Sequence, residues 1–127
     1  MKFQPERPAG VNIVTRIERS RVWIGATAFD HSLLVPWSGE VRRWGAARFE
    51  TLGAGHFEAL LALDPELVIF GSGGRLRFPS PALTRALIER RIGIETMDTG
   101  AACRTYNVLA GEGRSVLAAL LLETDSA

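Results

Sequence analysis

Hydrophobic and polar positions change rhythm about halfway along this chain. From Asn12 to Ile17 they alternate in the manner of a strand. Arg21–Ile24 resumes the alternation after a polar turn at Glu18–Ser20, as strands with one wet face do. Gly25 interrupts the pattern. Ala28-Phe29 and Ser32–Val35 then read as a strand pair turning at Asp30-His31, and Pro36, which cannot donate to a ladder, closes it. Gly39–Trp44 and Arg48–Glu50 read as two shorter strands. The first half is therefore predicted to be an antiparallel meander.

The second half alternates strands with helices. His56–Leu63 reads as a short helix stopped by Asp64-Pro65. Leu67–Phe70 is a continuous apolar run, the pattern of a strand buried on both faces of a parallel sheet. Ser80 is placed to cap a helix with Pro81 at its first position, and Leu83, Leu87 and Ile88 mark its inward stripe. Ile92–Met97 is the next strand, Thr99–Leu109 the next helix, ending near Gly111 or Gly113, and Ser115–Leu122 the last strand. The prediction is an α/β fold with a mixed β-sheet: an antiparallel meander followed by β-α-β-α-β with parallel strands. At 127 residues the chain has material for one core, so residues 1–127 are read as a single domain. Pro5, Pro8 and Gly10 lead to the expectation of an extended, flexible leader over residues 1–10.

Composition removes several function classes. Fifteen basic residues against fourteen acidic ones give a net charge of +1, so no overall field draws the chain to nucleic acid or to a membrane surface. The single cysteine, Cys103, precludes an internal disulfide framework or a Cys-based zinc site. No apolar run reaches the length of a membrane span, and MKFQPERPAG has neither an apolar signal region nor an amphipathic presequence. These features predict a cytoplasmic protein with no metal and no cofactor.

The run MDTGAACRTYNVLAGEGRSVLAALL, together with LVIFGSGG upstream, resembles the Mth938-like family, which has long been catalogued as a domain of unknown function. The resemblance extends from about Ile13 to Leu122, and Gly71, Gly73, Thr99, Ala102, Tyr106 and Asn107 carry it most specifically. It implies a single α/β domain with a mixed sheet. The family includes mitochondrial complex I assembly factor 3, and in that mitochondrial branch the resemblance implies partner binding in respiratory complex assembly; bacterial and archaeal relatives, which this chain resembles in its N-terminus, have no settled activity.

Ligands of open α/β sheets bind beyond the carboxyl ends of the strands. Two loops meet that description, Gly71-Ser72-Gly73-Gly74 and Asp98-Thr99-Gly100. Glycines let backbone N–H groups approach an anion, and Arg75 and Arg77 can supply charge; both are expected to be dispensable for stability. The bland alternative is a sharp turn out of the sheet followed by an ordinary N-cap. Neither nucleotide motif is complete. A P-loop needs Lys before Ser or Thr, and the dinucleotide fingerprint needs a third glycine where Leu76 stands.

On the last helix Thr99, Cys103, Tyr106 and Asn107 fall at i, i+4, i+7 and i+8, on one face. That face either holds a ligand or satisfies buried backbone groups of the sheet. Cys103 lies in the first turns of the helix, where the dipole lowers a thiol pKa, but no histidine is near it in sequence to act as a base. No catalytic residue is assigned. Trp23, Trp37 and Trp44 read as core or sheet-face residues, and if exposed they would suit a homo-oligomer.

The leading expectation is thus a non-enzymatic accessory factor with an unidentified protein partner, whose surface comes from Gly71, Ser72, Gly73, Gly74, Arg75 and Arg77 and from Thr99, Cys103, Tyr106 and Asn107. The competing class is a small-molecule or anion-binding protein, or an enzyme, using those elements as a pocket.

Overall fold

The computed structural model describes residues 10–123. The leader read at residues 1–10 falls outside them except for Gly10. Strands β1 (Val14–Glu18), β2 (Arg21–Ile24) and β3 (Thr27–Phe29) form a three-stranded antiparallel sheet in that order. A second, five-stranded sheet contains β4 (Leu33–Pro36), β5 (Arg42–Arg43), β6 (Leu67–Gly71), β7 (Gly93–Met97) and β8 (Val116–Leu120), in the order β5-β4-β8-β6-β7. β6 pairs in parallel with both β7 and β8, whereas β4 runs antiparallel to β8 and to β5. The predicted mixed sheet is present.

Three helices are described: α1 (Ala54–Glu58), which continues as a 3-10 turn (Ala59–Leu63), α2 (Pro81–Glu89) and α3 (Thr99–Gly111). The predicted caps are in place. The Ser80 side chain accepts the Ala82 N–H, and the Asp98 side chain accepts the Ala101 N–H at 2.9 Å. Arg91 and Asp64 adopt positive φ where the chain leaves its helices for β7 and β6.

The continuous apolar runs of β4, β6 and β8 are buried on both faces, and their alternation divides the interior. Leu33, Val35, Leu67, Ile69, Val116, Ala118 and Leu120 point to one side, where α3 and the small sheet cover them with Ala102, Cys103, Tyr106, Val14, Val22 and Ile24. Leu34, Val68, Phe70, Leu117, Ala119 and Leu121 point to the other, against α1 and α2 with Phe57, Leu60 and Leu87. Trp44 sits there, edge-on to Phe57 at 5.8 Å and to Phe70 at 6.0 Å between ring centroids. Such aromatic pairs contribute about 0.5–1.5 kcal/mol beyond their buried area.

Three sequence expectations change. Asp30-His31 does not close a strand pair: β3 pairs with β2, while β4 leaves for the other sheet. The turn residues were visible, but pairing depends on which sheet a strand can reach. Arg48–Glu50 is no strand; Phe49–Thr51 forms a 3-10 turn with bonds from Thr51 and Leu52 back to Arg48 and Phe49. Ile88 does not face inward and is 57% exposed, because a stripe centred on buried Leu87 leaves the next residue about 100° round the helix.

Candidate functional site

The glycines after β6 are held by packing. A Cβ added to Gly71 would lie 2.9 Å from Thr99 Oγ1 and 3.0 Å from Thr99 Cα, so a side chain here would push the start of α3 off the sheet. Thr99 stitches the junction. Its hydroxyl donates to the Leu121 carbonyl (2.8 Å) and accepts the Gly73 N–H (2.9 Å), and its own N–H donates to the Gly73 carbonyl (2.8 Å). Gly73 has φ +100°, and a Cβ on it would run into the side chains of Arg77 and Glu123. The buried Ser72 hydroxyl donates to the Arg75 carbonyl (2.7 Å), with the Met97 carbonyl 3.1 Å away, and accepts the Arg77 N–H (3.0 Å).

The two arginines part company here. Arg77 turns inward with 15% of its side chain exposed, its guanidinium 4.7 Å from the centre of the Phe49 ring. It bonds one carboxylate oxygen of Glu123 and the Ser72 carbonyl (2.7 Å), and reaches Glu50 at 3.3 Å. The other Glu123 oxygen accepts the Phe49 N–H at 2.6 Å. Arg77 therefore clamps the segment that follows β8 to the loop and the 3-10 turn, which speaks against the expectation that it is dispensable for stability. Arg75 is exposed.

The polar quartet on α3 divides in the same way. Tyr106 is fully buried and donates its hydroxyl to the Asn12 carbonyl (2.7 Å), with the Pro36 carbonyl at 3.1 Å. The Asn107 amide accepts the Val14 N–H (2.9 Å) and donates to the Val14 carbonyl (2.8 Å), so it pairs with β1 as a neighbouring strand would. Cys103 is fully buried, and that burial pushes its thiol from 9.0 up to about 12 despite the neighbouring Arg104 charge. Burial likewise raises the Tyr106 phenol. A thiol in that state is neutral at physiological pH and is no nucleophile.

Beyond the carboxyl ends of β6, β7 and β8 lies an open cleft of about 620 Å³. One wall is the loop Gly73, Gly74, Arg75 and Arg77, another is Asp98, Thr99 and Gly100, and the floor is Leu121–Glu123. The cleft thus brings together both loops named from sequence, and Thr99 alone of the α3 quartet reaches it; Cys103, Tyr106 and Asn107 do not line it. Its third wall, Ile17, Glu18 and Arg19 at the tip of the β1–β2 hairpin, was not foreseen. Those residues lie far from the loops in sequence, and nothing local to them announces the contact.

Elsewhere, His31 Nδ1 lies 3.0 Å from the Ser32 carbonyl and its ring stands edge-on to Phe29. His56 Nδ1 accepts the Gly53 N–H at 2.9 Å. Among the described residues no group of three or more His, Cys, Asp or Glu side chains is placed to hold a metal ion, and no helix is long and apolar enough to cross a membrane.

A mixed sheet between two covering layers, with a glycine loop and a hairpin framing a cleft at its carboxyl edge, defines an α/β protein of the Mth938-like type. The chain belongs to the family described as protein of unknown function (DUF498/DUF598), whose sequence model matches residues 14–121. It is similar to the crystal structure of a protein from Bordetella parapertussis, with 34% identity and a TM-score of 0.85 over 91% of this chain and 100% of that one. It is also similar to the solution structure of a Mth938-like domain from Bordetella pertussis, with 28% identity and a TM-score of 0.85 over 99% and 95% of the two chains. A curated relative is the NADH dehydrogenase [ubiquinone] 1 alpha subcomplex assembly factor 3 of Bos taurus, 33% identical over 121 residues. The match takes in 94% of this chain and 65% of that protein, so the chain spans just under two thirds of that relative's length.

Proposed function

We propose that this protein is a non-catalytic accessory factor in the assembly of an NADH dehydrogenase-type respiratory complex, acting in the cytoplasm by binding a protein partner. The observation that carries the reading is the similarity to the bovine assembly factor along 94% of the chain. The state of the side chains singled out from the sequence supports it. The cysteine is buried with its thiol pushed up to about 12, the α3 tyrosine and asparagine are engaged by backbone groups, and Arg77 is engaged by Glu123. What remains exposed around the loop is a cation and apolar side chains, which suit recognition better than bond making.

Affinity purification from the native cell, with mass spectrometry of proteins and retained small molecules, tests this reading. NADH dehydrogenase subunits or their assembly intermediates are expected to co-purify. If the washed protein carries a stoichiometric small molecule and no such subunits, the reading fails.

One observation favours a second reading. A cleft of about 620 Å³ has the size of a small-molecule site, roughly 300–1,000 Å³ in ordinary proteins. A bound metabolite in the same purification would support an anion- or ligand-binding role for Gly73, Gly74, Arg75 and Thr99.

A further inference from the structure

We infer that β7 is a docking edge: an extended segment of the protein partner adds to it as a further strand, with a lysine or arginine opposite Glu95 and a β-branched residue on either side of that cation. The inference rests on the accessory-factor reading and specifies what the partner presents.

The first observation is an open ladder. β7 ends the five-stranded sheet, and among the described residues it pairs only with β6. Gly93 donates its N–H to the Glu66 carbonyl (3.4 Å), and the Met97 carbonyl accepts the Ser72 N–H (2.8 Å). Alternate residues of a strand turn their N–H and C=O groups to the same side, so Gly93, Glu95 and Met97 face β6 while Ile94 and Thr96 face outward. Among the described residues nothing bonds those outward groups. The other sheet edges are shorter or filled. β5 has two residues, both exposed arginines, β3 has three, and the Asn107 amide occupies the edge of β1 at Val14. β7 has five residues, and Glu95 is the one charge on it. Long, lightly guarded edges are those that accept another strand.

The second observation says what that strand carries. In antiparallel pairing, the more stable arrangement, Ile94 and Thr96 each exchange both bonds with one residue of the incoming strand. The residue between those two then stands opposite Glu95 in a non-hydrogen-bonded pair, where Cα atoms approach to about 4.5 Å. Glu95 is exposed and forms no ion pair among the described residues. A cation opposite it is attracted, and a second carboxylate is repelled. The same register between two copies of this chain sets Glu95 against Glu95, which disfavours self-pairing. The residues flanking the cation share a face with Ile94 and Thr96, both half-buried, and Ile94 packs against the core cluster of Leu34, Val68 and Phe70. β-branched side chains suit such a half-buried pleated face.

Hydrogen exchange and peptide titration of the isotope-labelled protein test the inference. In the free protein the amides of Ile94 and Thr96 are expected to exchange faster than those of Glu95 and Met97, which β6 holds. The probes are three short peptides of equal length. One has Val-Lys-Val at its centre, the second has Val-Glu-Val, and the third is the first with both valine nitrogens methylated. The lysine peptide is expected to bind about tenfold more tightly than the glutamate peptide, to shift the β7 amides and to slow exchange at Ile94 and Thr96. The methylated peptide is expected not to bind. Glu95→Lys is expected to reverse the charge preference with little change in Tm.

The inference falls if no peptide binds at millimolar concentration, if the lysine and glutamate peptides bind equally, or if methylation makes no difference. Shifts away from β7 would also overturn it. Self-association of the free protein that protects Ile94 and Thr96 would make the occupant a second copy of the chain instead. If Glu95→Lys fully restores complex assembly in cells lacking the protein, the docking edge is wrong while the accessory role stands. The role itself falls only if those cells assemble the complex normally.

Discussion

Asn107 sits half-buried on α3 with both ends of its amide engaged by the backbone of one residue, Val14. Removing the amide leaves an N–H and a carbonyl of β1 short of partners where water has poor access. Asn107→Ala is therefore expected to lower stability by about 1–3 kcal/mol in urea unfolding. An unchanged midpoint would mean that the pair contributes nothing to the fold. Cys103 makes a different prediction. Its folded pKa of about 12 lies above the ordinary 9.0, so the folded state favours the neutral thiol. That contribution is fully present below pH 9.0 and is lost as pH rises towards about 12, with Tyr106 adding to the loss at the alkaline end. Cys103→Ala is expected to flatten the fall of stability with pH above 9.0, and the native thiol is expected to resist alkylation at pH 8 until the chain unfolds. Rapid labelling of the folded protein would contradict this account.

At the scale of elements, the loop after β6 is a joint rather than a cradle. Gly71 lets α3 approach, Thr99 bonds the loop to the strand end, and Arg77 ties both to Glu123. The two arginines, alike in sequence, are therefore expected to behave differently. Arg77→Ala is expected to cost about 1–3 kcal/mol because it removes charge-assisted bonds from a half-buried carboxylate. Arg75→Ala is expected to stay within about 0.5 kcal/mol. Equal effects in denaturant titrations would refute the clamp. Much of this architecture was legible beforehand: the apolar run Leu67–Phe70 could bury both faces only inside a sheet, and Ser80-Pro81 and Asp98-Thr99 announced their helices. The destination of β4 was not legible. Nothing in Asp30-His31 distinguishes a hairpin turn from a passage between sheets.

For the whole molecule, sequence spacing put Thr99, Cys103, Tyr106 and Asn107 on one helix face, yet whether that face meets a ligand or the fold depended on what lies opposite. Opposite it lie the small sheet and the segment at Asn12, brought there from the far end of the chain. The cleft is likewise completed by the β1–β2 hairpin, a contact between distant segments with no local signature. What emerges is a protein whose polar helix face secures the small sheet. The most direct measurement is the amount of assembled NADH dehydrogenase complex in native membranes, resolved on native gels, after deletion of this protein and after its restoration. Assembled complex is expected to fall, unassembled subunits to accumulate, and the restored wild-type chain to reverse both. A deletion strain with the complex at its normal level and in its normal form would contradict it.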